Sequence, residues 1–127
     1  MRENKRNAVI LVVDDEREAT MSLRGFFAAL GYDMLTAFDG KEALEIIDSG
    51  RRIDLILLDI RMPGIDGIQI LEHLRQTDSG TKVIVITAYD KDVKDEVEGL
   101  GVDGFLTKPI DLSKLIDNVR RVIDRKE

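Results

Sequence analysis

Cysteine is absent from the 127 residues, and histidine occurs once, as His73. The first absence removes a disulfide framework, a thiol nucleophile and any zinc or iron–sulfur site built on thiolates. The second removes a His-cluster metal site. No apolar run approaches the ~20 residues of a membrane span, and no signal-peptide h-region follows the N-terminal MRENKR. Positive charge is in the minority, 19 Lys and Arg against 25 Asp and Glu for a net −6. That balance argues against general affinity for nucleic acid or anionic membranes. No Pro/Gly/Ser-rich linker, low-complexity tract or like-charge block divides the chain. What is present, 43% hydrophobic and 35% charged residues, is a globular balance sufficient for one domain over 1–127. The expected setting is the cytoplasm.

Short apolar runs recur at Ala8–Val13, Asp33–Ala37, Asp54–Leu58, Lys82–Ile86 and Val102–Leu106. Between them lie helical spacings. Ala19, Leu23, Phe26 and Leu30 make the first stripe, with Gly31 at a C′ position. Asp39 and Glu42 form a capping-box-like start to a second helix that Gly50 ends. Ile68, Leu71 and Leu74 give a third, Val93, Val97 and Leu100 a sparse fourth. Leu112, Leu115, Ile116, Val119, Val122 and Ile123 give a regular fifth. Gly25 inside the first helix costs ~1 kcal/mol against Ala, and close packing on the sheet would be one reason for it.

Five strands alternating with five helices predict an α/β fold with right-handed crossovers and a single parallel sheet. The first, third and fourth strands are apolar almost throughout, as strands covered on both faces are. The weaker second and fifth suit the edges. The expected architecture is doubly wound and flavodoxin-like, in the order 2-1-3-4-5, with helices on both faces.

In that order the ligand crevice opens between the carboxyl ends of the first and third strands. Strand one runs into Asp14 and Asp15, strand three into Asp59, strand four into Thr87, and strand five leads to Lys108 and Pro109. Taken singly, Asp15 reads as an N-cap, Asp59 as turn chemistry, Thr87 as a strand-end cap and Lys108 as a solvated surface residue. Caps and turns do not account for all of them around one crevice. Three carboxylates there repel one another unless a cation joins them. An all-oxygen set suits Mg²⁺, which keeps waters and shares a phosphate. A carboxylate can itself attack phosphorus to form an aspartyl phosphate. Phosphoryl transfer asks mainly for positioning and for neutralisation of three oxygens. Mg²⁺ on the acidic pair, the Lys108 ammonium and the Thr87 hydroxyl supply that.

With these residues in place, VVDDE at Val12–Glu16, LLDIRMPGIDG at Leu57–Gly67, ITA at Ile86–Ala88 and TKPI at Thr107–Ile110 resemble a known family. It is the response-regulator receiver domain of two-component signalling, which includes chemotaxis regulators. The likeness runs from Ala8 to about Asp124. It implies that Asp59 is the phosphoacceptor, served by a sensor histidine kinase or histidine phosphotransfer domain. It implies that Asp15 ligates Mg²⁺ directly and Asp14 mainly through water, with Asp59 and the backbone carbonyl of Arg61 completing the set. Thr87 and Lys108 take the phosphoryl-binding roles. Phe105 matches the switch aromatic, and lacks the hydroxyl of the tyrosine often found there. Arg61 and Tyr89 occupy variable positions that tune phosphate lifetime. The resemblance favours a cis Lys108–Pro109 peptide. It places the output on the surface formed by the fourth helix, fifth strand and fifth helix. The chain is expected to act as a monomer, with dimerisation on phosphorylation an open option, and to lack an effector domain. It is expected not to be an enzyme beyond its own phosphorylation and dephosphorylation. His73, beside Glu72 and Arg75, reads as an inert surface residue.

A flavodoxin-like cofactor-binding module is the alternative on the same fold. It needs a Ser/Thr/Gly-rich phosphate loop where this chain has Asp14, Asp15 and Glu16. An aspartyl-phosphate phosphohydrolase needs a substrate-binding cap, and no connection here exceeds one helix. A receiver-like domain that no longer takes phosphate would not keep the complete residue set.

Overall fold

The computed structural model describes residues 7–77, 80–88 and 90–124. Strands and helices alternate as β1 (Val9–Val13), α1 (Arg17–Ala29), β2 (Asp33–Ala37), α2 (Gly40–Asp48), β3 (Leu55–Leu58), α3 (Gly67–Thr77), β4 (Lys82–Thr87), α4 (Lys91–Leu100), β5 (Gly104–Thr107) and α5 (Leu112–Asp124). The five strands form one parallel sheet in the order β2-β1-β3-β4-β5. The doubly wound expectation holds.

Alternate residues of each strand point to opposite faces, and the core divides accordingly. Leu11, Val13, Ile56, Leu58, Val83 and Val85 meet Ala43 of α2, Ile70, Leu71 and Leu74 of α3, and Val97 of α4. Ile10, Val12, Leu55, Leu57, Ile84 and Ile86 meet Leu23 and Phe27 of α1 and Leu115, Val119 and Val122 of α5. The inner strands are buried on both faces because helices cover both.

Two aspartates fix how the strands start. Just before β3, Asp54 donates its N–H to the Val9 carbonyl at 2.9 Å and accepts the Val9 N–H on Oδ2 at 2.7 Å. Just before β5, Asp103 treats Val83 the same way, at 2.7 and 2.9 Å. This clasp is why β5 begins at Gly104 rather than at Val102.

The capping box of α2 forms, with Glu42 N–H on Asp39 Oδ1 at 2.8 Å. The Glu42 carboxylate reaches back to the Phe38 N–H at 2.7 Å, one residue earlier than the usual pairing. A second box opens α3, where Asp66 and Gln69 exchange side-chain and backbone bonds at 3.1 and 3.0 Å.

The buried stripe of α1 differs from the expected one. Thr20, Leu23 and Phe27 are its buried residues, whereas Phe26 is half-buried and Leu30, the helix C-cap, is exposed. The stripe is rotated by about one residue because Thr20 can lie inside. Its hydroxyl donates to the Asp14 carbonyl at 3.1 Å. Leu112, at the start of α5, is likewise exposed.

Gly25 also departs from expectation. It is exposed, and a Cβ built there meets nothing within 4 Å. Close packing therefore does not explain it. Gly25→Ala should stabilise the protein by about 1 kcal/mol, read as a raised urea midpoint with an unchanged slope. A loss of stability would show that the helix needs the glycine.

Candidate functional site

At the carboxyl edge of the sheet the backbone ladder delivers the polar residues together. The Asp59 N–H donates to the Val13 carbonyl at 2.9 Å, and the Lys108 N–H to the Thr87 carbonyl at 2.9 Å. Asp14 thus stands beside Asp59, and Lys108 beside Thr87. Asp14, Asp59 and Thr87 are buried and Asp15 is exposed.

Lys108 is the cation of the site. Its Nζ lies 3.0 Å from Asp14 Oδ2, 3.2 Å from Asp59 Oδ2 and 3.6 Å from Glu16 Oε1. The peptide bond that follows it, Lys108–Pro109, is cis. The remaining oxygens of the two buried carboxylates take main-chain donors. Glu16 N–H reaches Asp14 Oδ1 at 3.0 Å, and Arg61 N–H reaches Asp59 Oδ1 at 3.1 Å.

The energetics of this cluster are opposed. Burial raises the pKa of Asp59; Lys108 pulls it down, Asp14 pushes it up again, and the net is a raised carboxyl. Burial alone would lower the Lys108 ammonium, but its hydrogen bond to Asp14 and the charges of both aspartates reverse this and hold it above the ordinary lysine range. The Thr87 hydroxyl also acts on Asp59 from close by. Its geometry nevertheless makes no hydrogen bond, so Oγ1 is buried without a partner among the described residues. A buried hydroxyl in that condition is costly unless something else accepts from it.

One carboxylate oxygen from each of Asp14, Asp15 and Asp59 lies within 4.8 Å of the others. Three hard oxygens this close together suit a small divalent cation. The fit to Mg²⁺ is chemical as well as geometric, since no softer ligand is offered.

The loop between β3 and α3 is fixed by a glycine with no room to grow. A Cβ on Gly67 would lie 2.6 Å from the Asp59 carbonyl and 2.6 Å from the Ile60 Cα. The helix start therefore presses directly on the backbone of Asp59. Neither this contact nor the Thr20 hydroxyl beneath Asp14 was legible as part of the site. Glu16, the third carboxylate on Lys108, could have been suspected from its place directly after the acidic pair.

The other sequence-derived positions divide. Phe105 pairs in register with Val85, and Thr87 with Thr107. Parallel register puts Thr87 and Phe105 on the same sheet face, the one that α4 covers. Phe105 is half-buried there and lines a groove of about 350 Å³ with Lys94, Pro109 and Lys114. The Arg61 side chain turns away to an ion pair with Asp90. Tyr89 lies outside the described residues. His73 bonds Asp48 of α2 at 2.8 Å rather than Glu72 or Arg75.

An open parallel sheet with its acidic residues at the switch point defines a small α/β domain of flavodoxin-like topology, with the place for a ligand at that crevice. The profile described as "Response regulator receiver domain" matches residues 10–120, and the chain belongs to that family. Response regulator MprA of Mycolicibacterium vanbaalenii is 41% identical over 118 residues, covering 91% of this chain and 50% of the relative. The chain thus spans about half the length of the curated relatives it matches. The receiver domain of the Francisella response regulator 1452 superposes with a TM-score of 0.86 at 37% identity, covering 95% of this chain and 100% of that one. Response regulator TrrA of Thermotoga maritima, solved with Mg²⁺ and BeF, gives 0.81 at 34% identity, covering 91% and 98%. The chain is a receiver, a signalling domain of two-component systems. The cofactor-module alternative is thereby set aside.

Proposed function

We propose that Asp59 accepts a phosphoryl group from the phosphohistidine of a sensor histidine kinase or phosphotransfer domain. A carboxylate oxygen of Asp59 forms the new bond to phosphorus as the phosphorus–nitrogen bond breaks, and the imidazole leaves. Asp59 needs no general base, because it attacks as the carboxylate. Lys108 holds one phosphoryl oxygen and stays protonated throughout. The Thr87 hydroxyl donates to another. The observation that carries this reading is that hydroxyl, buried close to Asp59 and, among the described residues, without a hydrogen-bond partner.

Asp15 and Asp59, the carbonyl of Arg61 and, through water, Asp14 would hold Mg²⁺. When bound, the ion supplies neutralisation of the charge on the transferring group. Arg61 and Tyr89 remain the residues proposed to set how long the phosphoryl group survives. The chain turns over no external substrate. It works in the cytoplasm as a monomer, with no direct contact to nucleic acid or membrane, and no described helix is long and apolar enough to cross one. The domain signals through α4, β5 and α5. When phosphate draws Thr87 toward Asp59, space opens on the face where Phe105 lies, and the ring can repack.

Incubation with acetyl phosphate and Mg²⁺ should add one phosphoryl group by intact mass. Asp59→Asn should abolish it, and EDTA should suppress it. Labelling of the Asn variant equal to that of the wild-type protein would defeat the assignment.

A further inference from the structure

Helix α4 packs on the core through Val97, with Val93 and Leu100 partly buried beside it, and is tied at both ends. Val97 is its one buried side chain. At its C-terminus Arg75 of α3 donates from Nε to the Leu100 carbonyl at 3.1 Å and from Nη2 to the Gly101 carbonyl at 2.6 Å. At its N-terminus the guanidinium of Arg61 pairs with Asp90 Oδ2. Asp90 is the N-cap, and its carboxylate is divided between two tasks. Oδ1 accepts from the Asp92 and Val93 N–H groups at 2.9 and 3.3 Å, and Oδ2 takes the arginine.

Arg61 therefore touches two things at once. Its main-chain N–H lies on Asp59 Oδ1 at 3.1 Å, and its side chain lies on the cap of α4. A phosphoryl group on Asp59 would bring a charge of about −2 and three strong acceptor oxygens within reach of that side chain. A planar guanidinium binds phosphate oxygens in pairs. Asp90 can offer it only the oxygen that the helix does not use.

We propose that Arg61 and Asp90 form a latch on α4 that a phosphoryl group on Asp59 opens by competing for the guanidinium. The proposal rests on Asp59 being the acceptor. In the unmodified protein the ion pair fixes the N-terminus of α4. Phosphorylation draws Arg61 back toward Asp59, and the end of α4 nearest the site is released, while Arg75 continues to hold the far end. Asp90 is in this sense an internal competitor that weakens the site for its anion. Arg61 is a positioning residue, and the lifetime role proposed above is a separate one.

Beryllofluoride with Mg²⁺, a phosphoryl mimic, tests the latch through affinity and through backbone NMR. Asp90→Asn keeps a good N-cap but removes the charge that holds Arg61. It should bind beryllofluoride about two- to fivefold more tightly, the range open to an exposed ion pair. In the Arg61→Gln background the same change should give no gain. Without beryllofluoride, the amide signals of 91–100 in Asp90→Asn should already lie partway toward their positions in the bound wild-type protein. Arg75→Gln loosens the other end of α4 and should leave the affinity as it is. Equal affinity in Asp90→Asn and wild type, the same gain with and without Arg61, or a matching gain in Arg75→Gln would each overturn the latch. If the wild-type protein fails to bind beryllofluoride in a manner that Asp59→Asn removes, the acceptor reading itself falls, and the latch with it.

Discussion

Lys108→Met is expected to cost the metal-free protein about 3 kcal/mol at neutral pH, the scale of breaking a buried ion pair from one side. The ammonium lies 3.0 Å from Asp14 and 3.2 Å from Asp59, and both carboxylates are buried. Methionine fills similar volume but leaves two like charges facing each other with no cation between them. The folded-state pKa of Lys108 is raised above 10.5. Its contribution to stability is thus complete below 10.5, down to the acid range in which Asp59 takes up its proton, and on the alkaline side it fades only as pH rises through the higher folded value. Neutral conditions show the full effect. Urea unfolding in EDTA reads it, and millimolar Mg²⁺ should recover much of the loss, because an ion that binds only the folded state stabilises it by mass action. A cost below about 0.5 kcal/mol would mean that Lys108 behaves as an ordinary surface ion pair.

Asp59→Asn should act in the opposite direction. In the metal-free protein it should stabilise at neutral pH, on the order of 1 kcal/mol, because burial penalises the ionised carboxylate more than Lys108 rewards it. Lys108 keeps Asp14 and Glu16 as partners in the variant. The pH dependence follows from the raised pKa of Asp59, whose main cause is burial. The folded state holds the proton more tightly than the unfolded one. The Asp59 contribution to wild-type stability therefore falls as pH rises from 3.8 through the folded value, and is level above it. The advantage of the asparagine should be largest at neutral pH and shrink as the solution is acidified through that window. Thermal melts from pH 4 to 8 in EDTA check this. Mg²⁺ should narrow or invert the difference, since the variant has lost a carboxylate ligand. Destabilisation by Asp59→Asn without metal would show that the attraction of Lys108 outweighs the cost of burial.

Much of the site was legible because its residues sit where strands end. A run such as Leu55–Leu58 has no polar reason to stop, so the aspartate that stops it marks the edge of the sheet. Strand order then decides which edges meet. Side-chain direction off the strands was harder to read. The resemblance made Arg61 a residue that tunes phosphate lifetime, and the structure sends its side chain to Asp90. The two are 29 residues apart in sequence, and no local pattern links them. The stripe of α1 was misplaced for a related reason: periodicity weighs apolar residues, whereas Thr20 is buried because a carbonyl from another segment accepts its hydroxyl. Gly67 shows a further limit. Its value lies in the atom it lacks, and only the nearness of the Asp59 backbone reveals that.

The paired bonds that Asp54 and Asp103 make at the starts of β3 and β5 carry a consequence for alignment. A strand can slide against its neighbour, and a one-residue slip moves every group by about 3.3 Å and turns it to the other face. Asp54 grips Val9 through both of its main-chain groups, so β3 enters its ladder with β1 already indexed. Counting forward from that grip brings Asp59 opposite the end of Val13, next to Asp14. Asp103 indexes β5 on Val83 in the same way, and counting forward brings Lys108 to the end of Thr87. The spacing of the acceptor, the acidic pair, the hydroxyl and the ammonium is thus gauged at the opposite rim of the sheet, a strand's length from the atoms it serves. Acidic side chains at one rim act as rulers for those at the other.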